Sequence, residues 1–122
     1  MGWTFREDLP IYSQLVDEMT RAIVSGAYAP GERLPTVRDL ALDAGVNPNT
    51  VQRALSELER SALVYTQRTA GRFVTEDRAV IAQAREQMAA NKINEFLHEM
   101  DGLGFTREQI GALLAAQPKK DN

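Results

Sequence analysis

A chain of 122 residues, 43% hydrophobic and 25% charged, has room for one globular domain and a small appendage. No apolar run approaches the roughly 18 residues of a membrane span, and Met1-Gly2-Trp3-Thr4-Phe5-Arg6-Glu7 has no apolar signal core, so a cytoplasmic protein without a membrane partner is expected. The lack of cysteine excludes disulfides and thiolate metal sites, His98 as sole histidine excludes a two-histidine metal site, and the net charge of −3 gives no overall basic excess.

The first helix is expected from about Pro10 to Ala27, with Pro10 in the first helical position and Asp8 just upstream, where a carboxylate suits the helix dipole. Ile11, Leu15, Met19, Ala22 and Ile23 recur at three- and four-residue steps and predict one buried stripe. Gly26 marks the end of this helix and Pro30-Gly31 a turn. Trp3 and Phe5 are expected to pack over it. Thr36 opens a second helix, with Asp39 three residues on as a near capping box. Val37, Leu40 and Ala41 face inward, and Ala44-Gly45 closes the helix. A third helix follows at once: Asn47 as N-cap, Pro48 in the first position, and Val51, Ala54, Leu55 and Leu58 as the buried stripe. Two helices joined by a tight glycine turn are the signature of a helix-turn-helix.

After Leu63 the period changes to two. Val64–Gln67 and Arg72–Thr75 predict a hairpin that turns through Thr69-Ala70-Gly71, which would be a wing. A long helix is then expected from Asp77 to Met100, broken by Gly102. Thr106 and Gln109 form a capping box for a short last helix carrying Ile110, Leu113 and Leu114, and the chain ends in a polar, frayed stretch from Pro118 to Asn122.

The start of the third helix, Asn47-Pro48-Asn49-Thr50-Val51-Gln52-Arg53, is where a helix-turn-helix reaches base edges in the major groove. Asn and Gln can pair with adenine, Thr with phosphate or a thymine methyl, and Arg with guanine or phosphate. The same residues serve equally well as an ordinary helix start, so residue types alone leave both readings open. Charge placement still permits DNA binding, with greater salt sensitivity: between Asn47 and Thr75 the charged residues are Arg53, Glu57, Glu59, Arg60, Arg68 and Arg72, four positive against two negative. Catalysis has little to work with. His98 follows Phe96 and Leu97 on a helix as a solvent-facing spacer, and no Gly-rich phosphate loop occurs. No enzyme activity, catalytic residue, cofactor or metal is expected.

The ordered set Pro10-Ile11-Tyr12-Ser13-Gln14-Leu15, then residues 26–41 with Leu34-Pro35-Thr36-Val37-Arg38, then Val46–Val51 and Leu55-Ser56-Glu57-Leu58-Glu59 resembles the GntR family of regulators over roughly residues 9–76. The resemblance implies DNA contacts from Arg38 and from Asn47, Asn49, Thr50, Gln52 and Arg53. It also implies that Gly71 approaches the minor groove at the wing tip. The family wing usually reads Arg-x-Gly-x-Gly-Thr-Phe-Val. Here the first glycine is missing from Arg68-Thr69-Ala70-Gly71, and Arg72 replaces the usual threonine, so Arg68 and Arg72 are expected as wing cations, with Arg72 able to reach phosphate.

Residues 77–122 are too few to enclose a conventional metabolite pocket. A two-helix tail of that length resembles the short-tailed YtrA-type subfamily, which implies a tail that dimerises and control of a neighbouring transporter operon. Ile81, Met88, Ile93, Phe96, Leu97 and Met100, with Ile110, Leu113 and Leu114, are the expected pairing residues. The whole reads as a mainly α protein. A winged helix-turn-helix DNA-binding domain (1–76) precedes a short α-helical dimerisation hairpin (77–122), and the partners are double-stranded DNA and a second copy. The function expected is transcriptional repression at an inverted-repeat operator; the rival is a winged module used only for protein contacts.

Overall fold

The computed structural model describes residues 2–119. Of the polar end expected from Pro118 onward, Lys120, Asp121 and Asn122 lie outside them. Five helices and one hairpin follow in the order α1 (Ile11–Val24), α2 (Val37–Ala44), α3 (Pro48–Arg60), β1 (Val64–Gln67), β2 (Gly71–Val74), α4 (Arg78–Gly102) and α5 (Arg107–Ala116). The chain divides into two compact units, residues 1–85 and 86–122, and α4 runs through both. Among the described residues no helix is long and apolar enough to cross a membrane.

The first unit is built on the three stripes legible in the sequence. Leu15, Met19 and Ile23 of α1, Leu40 and Ala41 of α2, and Val51, Ala54, Leu55 and Leu58 of α3 meet in one buried cluster, closed by Leu34, Leu63, Val64 and Val74. Trp3 and Phe5 stack on each other at 5.8 Å and pack against this cluster, and the Trp3 indole N–H donates to Asp43 at 2.7 Å. Ile11 was expected in the α1 stripe but, as the first residue of the helix, is 43% exposed. Pro10 is the N-cap of α1 and not its first helical residue, and Asp8 pairs with Arg6 at 2.6 Å. That hydrogen bond from Arg6 holds the Asp8 carboxyl below its ordinary range. The N-terminal segment is fastened instead by the Gln14 side-chain amide, which accepts from the Arg6 N–H and donates to the Arg6 and Leu9 carbonyls.

Helix ends follow backbone chemistry. The α1 helix stops at Val24, before the expected Ala27, since Gly26 turns left-handed (φ +86°). In α2 the Thr36 hydroxyl accepts from the Asp39 N–H at 3.1 Å, and Gly45 is left-handed while the Val46 N–H returns to the Ala41 carbonyl. In α3 the Asn47 side chain accepts from the Asn49 N–H at 2.8 Å. The α4 helix, expected to run to Met100 and be broken by Gly102, continues two residues further and includes Gly102 as its last residue. The left-handed turn falls on Gly104, and the Phe105 N–H bonds back to Met100. The capping box of Thr106 and Gln109 forms in full. At the end of α3 the same left-handed position is held by Ala62 (φ 66°), whose Cβ crowds its own backbone there. Ala62→Gly is therefore expected to stabilise the protein by about 0.5–1 kcal/mol, relief of that crowding less the extra freedom of an unfolded glycine. An unchanged or lowered Tm in a thermal melt would contradict this.

The hairpin pairs antiparallel with Val64 opposite Val74 and Gln67 opposite Gly71. Its second strand starts one residue earlier than expected, at Gly71. The free edge of β2 is taken by the segment before α2: Gly31 N–H to Val74 O, Val74 N–H to Glu32 O, and Leu34 N–H to Arg72 O, all at 2.8–2.9 Å, with an isolated bridge between Arg33 and Phe73. The Pro-Gly-Glu-Arg-Leu-Pro stretch is thus the third member of the wing sheet. The sequence shows it only as a turn.

Asp77 caps α4 by accepting from Ala79 N–H at 3.0 Å. Val80, Ile81 and Ala84 then pack on the winged core, which places the first α4 turns with the first unit. Ile81, expected among the pairing residues of the tail, is taken up by this contact.

Candidate nucleic-acid interface

The buried stripe of α3 determines what the opposite side shows. Asn49, Gln52, Arg53 and Ser56 are all exposed and stand at three- and four-residue steps, so they form one polar face. Ser56 extends this face beyond the residues singled out from sequence. Asn47 is exposed at its head, with its side-chain oxygen occupied by the cap and its amide N–H₂ free to donate elsewhere. Thr50 is half-buried, its backbone N–H bonded to Asn47.

Arg38 is the second residue of α2 and is exposed. Its side chain and Pro48, the first residue of α3, line one shallow groove of about 380 Å³ with Val37, Ala41, Leu42 and Val46. The fold therefore brings Arg38 to the start of the recognition helix, as the motif spacing alone could not show. Leu42, one helical turn after Arg38, is 75% exposed beside it.

The arginines sort by partner. Arg60 pairs with Glu57 at 3.0 Å, and the Arg72 Nε donates to Glu59 at 2.9 Å. Arg72 had been expected to reach toward phosphate. It is instead half-buried against α3, on the side of β2 that carries Val74. The hydrogen bond from Arg72, assisted by one from Thr66, holds the Glu59 carboxyl below its usual range against the opposing effect of burial. Arg53 lies over the Tyr12 ring, 4.4 Å from its centroid, which orients its guanidinium from α1. Among the described residues, Arg33, Arg38 and Arg68 carry no ion pair, nor do Arg53 on the recognition helix or Arg78, Arg85 and Arg107 on α4 and α5, so unpaired positive charge lies on the recognition helix and on the segments flanking it as well as on the tail. Gly71, at φ 109°, starts β2 beside Arg33.

The Glu59–Arg72 pair gives a directional test. A carboxylate with a depressed pKa stabilises the fold above its unfolded pKa and loses that contribution as pH falls through the folded value. Glu59→Gln removes one negative charge and frees Arg72 at neutral pH. It is expected to tighten sequence-independent DNA binding severalfold and to steepen its salt dependence by about 0.9 per protomer, the contribution of one added phosphate contact. Equal affinity and slope for wild type and variant on a random duplex would show that Arg72 stays turned away.

An exposed polar helix face behind a capped turn, an adjacent free arginine and a three-segment wing form the frame of a winged helix-turn-helix. Residues 11–74, from α1 to β2, match the family described as bacterial regulatory proteins, gntR family. The chain belongs to the GntR family. Among curated GntR relatives it is 35% identical to the HTH-type transcriptional regulator YhcF of Bacillus subtilis (strain 168) over 106 residues, 87% of this chain and 88% of that one. It is 30% identical to the HTH-type transcriptional repressor YtrA of the same organism, covering 86% and 82%. A solved GntR family transcriptional regulator from Listeria monocytogenes superposes with a TM-score of 0.85 at 38% identity, over 93% of this chain and 100% of the other. The likeness thus extends past the wing into the two-helix tail. The winged part alone, 62% of the chain, also matches the DNA-binding domain of AraR solved in complex with operator ORR3, with a TM-score of 0.53 and 31% identity.

The tail residues can be placed within the second unit. Here α4 has no fully buried residue along its length, and of the expected pairing residues only Ile110 is buried. Met88, Leu97 and Met100 are half-buried and Leu113 is exposed. Ile93, Phe96, Leu97, Ile110 and Leu114 line a largely apolar groove of about 540 Å³, with Lys92 and Arg107 also on its walls.

Proposed function

We propose that this GntR protein is a cytoplasmic transcriptional repressor that occupies an inverted-repeat operator as a homodimer, with residues 1–76 binding DNA and the tail from 77 onward joining the copies. The single observation that carries the DNA reading is the exposed Asn49–Gln52–Arg53 face with Arg38 beside its start. In this reading Asn47, Asn49, Thr50, Gln52 and Arg53 meet base edges or phosphates of the major groove, Arg38 meets the backbone or a guanine, and Arg68 and Gly71 bring the wing to the adjacent minor groove.

Homodimerisation has its own support. Apolar residues of α4 and α5 that remain partly exposed lose that exposure by packing on a second copy, and Ile93 (55% exposed) and Phe96 (38%) of α4 with Leu114 (58%) of α5 are the residues that gain. One recognition helix reads only a few base pairs, so two half-sites about 10 base pairs apart, or a multiple of that, give the discrimination one cannot. The regulated genes in this reading are a neighbouring transporter operon, in keeping with the short-tailed resemblance. The test is footprinting of the purified protein on the duplex flanking its own gene. Protection of a two-fold repeat, competed by that duplex and not by a random one, is expected; the absence of any protected sequence overturns the reading.

A further inference from the structure

Arg33 is an exposed arginine without an ion pair among the described residues, and neither charge counting nor motif spacing singles it out. Its backbone is bridged to Phe73 on the free edge of β2, and the next residue, Leu34, turns into the core. Side chains alternate across a sheet, so Arg33 shares the face of Phe73 and Gly71, opposite to the face on which Arg72 meets Glu59. Tyr65 and Phe73 stack on that face at 5.6 Å. The Arg33 guanidinium lies across Gly71: a Cβ added there would stand 3.2 Å from Nε and 3.6 Å from one Nη. Glycine at this point therefore does two things. It accepts the left-handed φ of 109°, and it leaves the space that the guanidinium occupies.

We propose that Arg33 is the principal DNA-contacting cation of the wing, held over Gly71 so that its guanidinium meets a phosphate bordering the minor groove. The inference rests on the reading that the protein binds duplex DNA. It reassigns the role expected of Arg72. The wing sheet sends one arginine inward, where Glu59 neutralises it, and one outward from the neighbouring segment, where no carboxylate competes. A guanidinium suits this position because its planar fork offers several donors to phosphate oxygens, and because it can lie flat on a surface that lacks a side chain. Gly71 acts through Arg33 as a positioning residue.

The experiment uses the full-length protein with two labelled duplexes of equal length, one selected by the wild type from a random pool and one scrambled. Anisotropy titrations are run across a range of salt concentrations. Phosphate contacts are independent of sequence, so Arg33→Gln should lower the slope of log affinity against log salt by about 0.9 per bound protomer on both duplexes, while Arg33→Lys keeps the wild-type slope. Gly71→Ala should weaken binding in the wild-type background and do so much less in the Arg33→Gln background, since the displaced group is then already absent. Thermal melts accompany each variant, and Arg33→Met repeats the measurement should Arg33→Gln lower the Tm. Wild-type slopes for both Arg33→Gln and Arg33→Met, with Arg38→Ala still weakened, overturn the proposal and leave the DNA reading intact. A wild type that enriches no duplex from the pool overturns the DNA reading itself.

Discussion

Leu97→Glu is expected to turn the protein into a monomer at micromolar concentration and to lower its operator affinity by about 100-fold or more. Leu97 is half-buried in the single chain and lines the tail groove with Phe96, Ile110 and Leu114. A carboxylate placed there would have to give up its hydration against the apolar floor formed by Phe96, Ile110 and Leu114, with Lys92 and Arg107 only on the walls, at a cost of several kcal/mol. The affinity loss follows from linkage. Two half-site contacts joined in one dimer act at a high effective concentration, and separating them forfeits a factor of about 10²–10⁴ without touching a single DNA contact. Light-scattering mass and gel-shift titration should change together. The partially exposed Phe96 (38%) gives a second variant, Phe96→Glu, with less risk to the tail's own packing. A truncation separates folding from pairing, and the structure dictates where to cut. Ending the chain near Asp77 would remove Val80, Ile81 and Ala84 from the winged core, whereas ending it after Arg85 keeps them. A dimeric Leu97→Glu protein, or a chain ending at Arg85 with undiminished operator affinity, would refute dimerisation through the tail.

The second large effect is expected at Arg38. Its side chain is exposed, has no ion pair among the described residues and lines a groove with the first residue of α3. The helix that carries it is fixed by the Thr36 cap and by Leu40 and Ala41 in the core, so the guanidinium is presented from a rigid support. Arg38→Ala removes no core contact and no cap, so its thermal melt should match wild type. Operator affinity should fall by about 1–3 kcal/mol. Arg38→Lys then separates the modes of contact. It retains most of the affinity if the partner is a phosphate reached as a point charge, and little of it if two parallel hydrogen bonds to guanine are needed. Wild-type affinity for Arg38→Ala on the operator duplex would remove Arg38 from the interface.

The elements easiest to read were those whose signals are local. The four buried residues of α3 are the ones its periodicity marks, because a helix packed on one side must place its apolar residues at three- and four-residue steps. Thr36, Asn47 and Thr106 cap as their side chains require, since an N-cap needs only a short acceptor within reach of the next N–H groups. Where two local signals compete, sequence reasoning falters: Gly102 and Gly104 are both plausible helix stops, and only the return bond from Phe105 to Met100 selects the second. The end of α1 is misjudged for a similar reason, because Ala27 is a good helix former placed just beyond a left-handed glycine.

By itself, then, the sequence determined the helix-turn-helix, its caps, the hairpin, the family and the polar face of α3. The helices, caps and polar face depend on neighbours within about one helical turn, and the family on the order and spacing of such local motifs along residues 9–76. The tertiary structure alone decided which charges are free. Arg72 and Glu59 are far apart along the chain yet meet at 2.9 Å, while Arg33 reaches Gly71 because the segment before α2 runs along the edge of β2. Ile81 joined the winged core for the same kind of reason: its partners come from elements brought together only by folding. Ion pairing and packing act through distance in space, and a linear pattern carries that distance only inside a single element.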